Sequence, residues 1–394
     1  MKRIASLACA LALGASAAAP PLPLSTLAAE GVSPSRFERV VEFVAGVTAG
    51  GEYLGAVSLV ARNGKLVDWR AYGHRDLARA SAMEPDSIFR IYSMTKPMLT
   101  VAVLKLVEEG HIASVDDPVS KYLPAFATRP VTLRQLLTHT SGFANATEAM
   151  ERSADLKAYS GLAARLASAG ESGKRFHYNA VNSEVASRVV EVVSGTTFDA
   201  YLRERIFVPL GMRDTSFTVP AEKLSRLAEM TSTDKDGKLV AHDMPRPLAG
   251  EKAMPGRMMR PYFSGAGGLY STAADYARFC QMLLNGGELD GARILARDSV
   301  DQMMTSQLAN MDGPMPGEGF GLGGYVVLDA ARLGRPGSAG AFGWLGAGGT
   351  YFTIDRRERL VAILMTQHIP QGLPKDPQKL AARFYNLVYP SLVE

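Results

Sequence analysis

Ser93 and Lys96 stand three residues apart in the stretch IYSMTKPMLT, just ahead of a long apolar run. On a helix that spacing puts both side chains on one face, so the amine reaches the hydroxyl. A serine is a poor nucleophile until a base takes its proton. A neutral amine can do so, and burial at a helix entrance beside positive peptide dipoles disfavours the ammonium form. The same helix end offers a free backbone N–H to a developing oxyanion. The chemistry implied is acyl transfer through serine. Chance alone gives about one or two S-x-x-K matches in a chain this long, and Ser232 with Lys235 in TSTDKDGK is a second one. That pair sits in a polar turn with no apolar helix to desolvate its lysine, so context selects Ser93 and Lys96.

Other hydrolytic chemistries lack their residues. No serine is flanked as in a G-x-S-x-G elbow. The histidines, His74, His111, His139, His177, His242 and His368, are scattered without metal-ligand spacing, and no glycine loop suggests a nucleotide. Neither a metal nor a cofactor is expected. His139 reads as a turn residue and His177 as a neighbour of other site residues, by accident or for fine tuning. Cys280, in YARFCQMLL, reads as a small buried hydrophobe rather than a nucleophile.

The elements that must position the serine follow from local signals. Val101, Leu104, Leu106 and Val107 suit a buried helix stopped at Gly110, with Ser93 at its entrance. Asn63-Gly64 between two β-rich runs from Gly55 predicts a hairpin, so the mature chain is expected to open with paired strands. Thr132 and Gln135 are spaced as a capping box for a short helix ending in the turn HTSG. VNSEVASRVVEVVSG, FDAYLRERIFVPLGM and TAADYARFCQMLLNGG read as helices. LGGYVVLD, GTYFTID and LVAILMTQ read as strands before a last helix around Ala381 to Val388. Strands at both ends around a helical middle predict an α/β protein of the α+β type. Its antiparallel sheet is built from N- and C-terminal strands flanked by helices, about 36–90 and 320–394, with a helical lobe over about 91–319. A cleft between them is the natural place for a site. The connection DMPRPLAGEKAMPGRMMRPYFSGAGG is Pro-, Gly- and Met-rich and reads either as a functional lid, with Met254, Met258 and Met259 as an apolar lip over the acyl or alcohol group, or as a simply flexible link.

At the N-terminus, Lys2 and Arg3, an apolar run from Ile4 to Leu13 and the small residues Ala15-Ser16-Ala17 read as a secretory signal over 1–17, leaving 18–394 as one hydrolase domain. The run is shorter than the ~20 residues that span a bilayer, so no stable membrane insertion is expected after cleavage. An exported protein, periplasmic or secreted, is predicted. Removing Lys2 and Arg3 lowers the formal net charge from +4 to +2, with no basic run left to track a phosphate backbone, so nucleic acid is not an expected partner. A lone Cys280 in the mature chain cannot form an intrachain disulfide.

SMTKPMLTVAVLKLVEEGHIASVDDPVSKYLPAF, TLRQLLTHTSGF, VPLGMRDTSF and GAGGLYSTAADYARF, in that order, resemble the serine β-lactamase-related superfamily: class C β-lactamases, DD-peptidases and family VIII carboxylesterases. The likeness runs from about Arg36 to Tyr389. It implies Ser93 as nucleophile, Lys96 as its partner and Tyr178 in FHYNAVNSEVASRVVEVVSG as general base, with Tyr159 a weaker candidate. The family's asparagine two residues after that tyrosine is replaced by Ala180, which weakens any recognition through a side-chain amide. Trp344-Leu345-Gly346 in GWLGAGGTYFTID stands where the family has Lys-Thr-Gly, similar to the Trp-Gly-Gly form of the family VIII esterases. A flat apolar wall there replaces a cation. Gly346 then lets the strand approach the substrate, and the Ala347 N–H is the second oxyanion donor. A small-molecule ester is the implied substrate, with a β-lactam or peptide amide as the alternative and a catalytically silent recognition protein as a third reading.

Overall fold

The structure is a computed structural model that describes residues 20–242, 261–311 and 313–393. The leader and the methionines Met254, Met258 and Met259 lie outside the described residues.

The described chain opens on a helix rather than on strands: α1, Pro34–Ala49, is capped by Ser33 accepting from the Arg36 N–H and has proline at its first position. Phe37, Val40, Val44 and Val47 form its buried face. The expected hairpin follows as β1, Gly55–Arg62, and β2, Lys65–Gly73. Asn63 and Gly64 both take positive φ, 55° and 79°, which is the primed turn that matches strand twist. Helix α2, Thr95–Glu108, is buried on nearly every side, so its sequence is apolar all round. It stops where Gly110 turns left-handed at φ 76° and the His111 and Ile112 N–H groups return to the Leu106 carbonyl.

Helix α3, Leu133–Leu137, carries the full Thr132–Gln135 capping box. Helix α4, Ala180–Ser194, starts at Asn179 and ends at Gly195, φ 71°. The segment FDAYLRERIFVPLGM is not one helix: a short α-turn, Phe198–Leu202, passes into a π-turn, Arg203–Phe207. Helix α5, Ala273–Leu284, is capped by Thr272. The remaining sheet comes from β3 Glu318–Phe320, β4 Tyr325–Val327, β5 Phe342–Gly346, β6 Thr350–Asp355 and β7 Leu360–Thr366, and α6, Leu380–Val388, follows.

These strands form one antiparallel seven-stranded sheet in the order β2-β1-β7-β6-β5-β4-β3, so the two chain ends meet at the β1–β7 pair. One face buries Val57, Leu59, Phe352, Ile363 and Met365 with α2 and α5, and the other buries Ala56, Val60, Tyr351, Ala362 and Leu364 with α1 and α6. Cover on both faces is why β1 and β7 read as unbroken apolar runs.

Asp275 in α5 accepts from the Asp214 N–H at 2.7 Å and the Thr215 hydroxyl at 2.9 Å, tying the chain that follows the π-turn segment to the helix. Burial pushes its carboxyl up to about 6. A raised carboxyl is protonated longer in the folded than in the unfolded state, so its contribution to stability is present at pH 4 and lost as pH rises to 6. Wild type is expected to lose about 2 kcal/mol between those pH values relative to Asp275→Asn, read from urea denaturation of both proteins. Parallel curves contradict it.

Candidate active site

Ser93 lies in the single turn Tyr92–Met94 that leads into α2. That turn is over-determined. Tyr92 is held at φ 44°, Ile91 N–H bonds the Leu269 carbonyl at 3.0 Å, and the Tyr276 hydroxyl donates to the Met94 carbonyl at 2.9 Å. A left-handed non-glycine residue persists only where its surroundings fix it.

Lys96, one turn on, is 3% exposed. Its Nζ donates to Ser93 Oγ at 3.1 Å and to the Ala266 carbonyl at 2.5 Å, and stands 4.8 Å from the centre of the Tyr178 ring. The buried amine therefore has two acceptors and an aromatic face. The loop supplying Ala266 is fixed by the buried Glu184 of α4, which accepts from the Ser264 hydroxyl and from the Gly265 N–H at 3.0 Å.

Tyr178 sits just before α4 with its ring between His139, 4.5 Å away, and Trp344, 5.2 Å away. Its Oη accepts from the Trp344 indole N–H at 3.3 Å. Trp344 also packs edge-on against Phe320 at 5.0 Å. The structure thus brings Ser93 and Lys96, Tyr178, and Trp344 together from three distant segments. Tyr159 is elsewhere, fully buried in the core against Tyr262. Ser232 and Lys235 do not form a site: Ser232 is in a short buried strand and Lys235 is exposed beside Asp236. Cys280 is fully buried in α5, and burial pushes its thiol well up.

Strand β5 pairs with β4 only at Phe342 and Gly343, so Trp344–Gly346 has a free edge beside the Ser93 turn. Among the described residues no backbone hydrogen bond occupies the N–H of Ser93 or of Ala347. A Cβ on Gly346 would lie 2.3 Å from both the Ile91 carbonyl oxygen and Thr350 Oγ1. Gly346→Ala must therefore push β5 away from the Ser93 turn, and is expected to lower kcat about 10²-fold with little change in the far-UV spectrum. An unchanged kcat contradicts this. Leu345 points to the other face of the sheet, where it lines a cavity of about 150 Å³ with Tyr53, Tyr351, His368 and Lys379.

Two further groups belong to the site that sequence reasoning gave only a bland role or none. His139 is fully buried in the turn after α3 at φ 55°, and burial, with Lys96 and His177 adding to it, holds its imidazole well below the usual range. Asn179 and Asn182 flank Ala180, and both amides turn inward to the 139–143 turn rather than to the cleft. Their signal was two buried amides at the start of a helix beside a histidine turn.

Residues 40–383 match the Beta-lactamase family. The chain belongs to the beta-lactamase family. It is 32% identical over 356 residues to Protein Rv1367c of Mycobacterium tuberculosis (strain ATCC 25618 / H37Rv), covering 80% of this chain and 86% of that protein. It is also 32% identical over 360 residues to Esterase EstB of Burkholderia gladioli, covering 84% and 90%. Among solved structures, EstCE1, a hydrolase with promiscuous acyltransferase activity, superposes with a TM-score of 0.76 at 23% identity, covering 91% of this chain and 99% of that one. This member of the beta-lactamase family is a serine hydrolase.

Proposed function

We propose that the protein is an exported carboxylesterase that acts on small to medium acyl esters through an acyl-enzyme on Ser93. The observation that carries this reading is the Lys96 amine on Ser93 Oγ beneath a wall of Tyr178 and Trp344, with an indole where a β-lactam or peptide carboxylate would need a cation. The similarity to Esterase EstB supports it, and the leader-like residues 1–17 support export.

In the first step Ser93 Oγ attacks the ester carbonyl, its proton passing to Lys96 and Tyr178, while the Ser93 and Ala347 N–H groups hold the oxyanion. Collapse expels the alkoxide, which takes that proton and leaves as the alcohol. Water then repeats the sequence on the acyl-enzyme, releasing the acid and restoring Ser93. The aromatic wall takes one apolar end of the ester. The inward-turned amides of Asn179 and Asn182 offer nothing to an amide substrate. Met258 is proposed to contribute to the lip of the cleft. Hydrolysis of p-nitrophenyl butyrate beside nitrocefin tests the reading: the ester is expected to turn over at least about 10²-fold faster in kcat/KM, and the reverse preference makes the protein a lactamase.

A further inference from the structure

We infer that His139 is a positioning residue for this site: a neutral imidazole, locked by Asn182 with its proton on Nε2, that braces the Tyr178 ring beside Lys96. The inference deepens the proposed function and rests on it for the role of Tyr178, but its geometry stands alone.

The lock can be read outward from two backbone carbonyls. Asn179 Nδ2 meets the Phe143 and His177 carbonyl oxygens, each at 3.1 Å, and two acceptors fix that end of the amide as its NH₂. Asn179 Oδ1 therefore faces Asn182 as an acceptor, at 3.0 Å from Asn182 Nδ2, which makes that end of Asn182 the donor. The other end, Oδ1, accepts from the Ser141 hydroxyl. Asn182 Nδ2 then donates its second hydrogen to His139 Nδ1 at 3.1 Å, and the Asn179 N–H points to the same atom at 3.4 Å. An Nδ1 that receives two N–H groups carries no proton of its own, so the neutral ring holds it on Nε2.

Charge requires the same state. The groups that face the ring are Lys96 from α2, His177 and Tyr178 from the segment before α4, and the apolar rings of Phe176 and Phe320 at 6.2 and 5.6 Å. No carboxylate is among these neighbours, so an imidazolium would stand beside the Lys96 amine with no counter-charge. The backbone also favours this residue, because φ 55° suits His, Asn and Asp better than other side chains. Tyr178 itself is 37% exposed, so it lacks core packing on its outer side. What holds its ring over Lys96 is His139 on one flank and Trp344 on the other.

Two variants and one spectrum test this. His139→Asn keeps the left-handed backbone and removes the ring. It is expected to lower kcat for p-nitrophenyl butyrate about 10²-fold, with KM within about twofold and Tm within a few degrees. Asn182→Asp removes the donor and offers Nδ1 a carboxylate, which recruits a second proton. Its kcat profile is expected to gain an ionisation between about pH 5 and 8 that wild type lacks. In ¹⁵N-histidine NMR spectra, His139 of wild type is expected to stay neutral with its proton on Nε2 across that range, and His139 of Asn182→Asp to titrate. A wild-type proton on Nδ1, or an imidazolium at pH 7, overturns the inference. So does a His139→Asn protein with unchanged kcat, or one whose only defect is a lower Tm. A wild type without ester turnover strikes the proposed function instead, and the spectrum still decides the lock.

Discussion

Ser93→Ala is expected to lower kcat for p-nitrophenyl butyrate by about 10⁴-fold or more, with Tm within a few degrees of wild type. The first figure follows from removing the atom proposed to form the acyl-enzyme, while the oxyanion donors and the apolar walls remain to give a small residual rate. The second follows from what Ser93 Oγ touches. Its one hydrogen-bond partner among the described side chains is Lys96 Nζ, which keeps the Ala266 carbonyl and the Tyr178 ring when the hydroxyl is gone. Steady-state rates and a thermal melt on the same preparations check both halves. Activity within tenfold of wild type would mean that the nucleophile lies elsewhere.

Lys96→Met is the second large effect. Methionine fills a similar volume in the buried first turn of α2 but cannot take a proton from Ser93, so kcat is expected to fall about 10³-fold. Stability should move little. Losing the amine leaves the Ala266 carbonyl unpaired, at about 1–3 kcal/mol, and also removes the cost of burying a polar group that is only 3% exposed, which offsets it. The discriminating pair is therefore rate and urea midpoint measured together. A fall in midpoint large enough to unfold the protein under assay conditions would assign Lys96 a structural role, whereas loss of rate in a folded protein assigns it the proton.

Much of the fold was legible because its signals are local. Asn63-Gly64 fixed a hairpin, Gly110 stopped α2, and Thr132 with Gln135 capped α3, each within a few residues of the feature it sets. Helix α1 was not read, because its valines Val40, Val41, Val44 and Val47 suit a strand as well as a helix. What decides is the sheet face it covers, whose residues Ala362 and Leu364 arrive at the far end of the chain. Strand β3 is only three residues long and shows no period to read.

The site divides the same way. Ser93 and Lys96 meet by helix spacing and were visible directly. Tyr178 and Trp344 meet them through tertiary packing, so only the family resemblance named them, and the indole-to-phenol hydrogen bond had no sequence signature. Leu345 was grouped with Trp344 as a substrate contact, yet alternation along β5 sends the two side chains to opposite faces of the sheet. The chain Ser141, Asn182, Asn179 and His139 joins two segments by side-chain amides, a pattern that no spacing rule encodes.

The most direct test of the central claim is mass spectrometry of the protein after reaction with a fluorophosphonate, followed by peptide mapping, on wild type and Ser93→Ala. The account predicts one phosphonyl adduct, on the peptide that carries Ser93, lost in the variant together with ester turnover. An adduct on another residue, or a Ser93→Ala protein that still labels and still hydrolyses p-nitrophenyl butyrate, would contradict it.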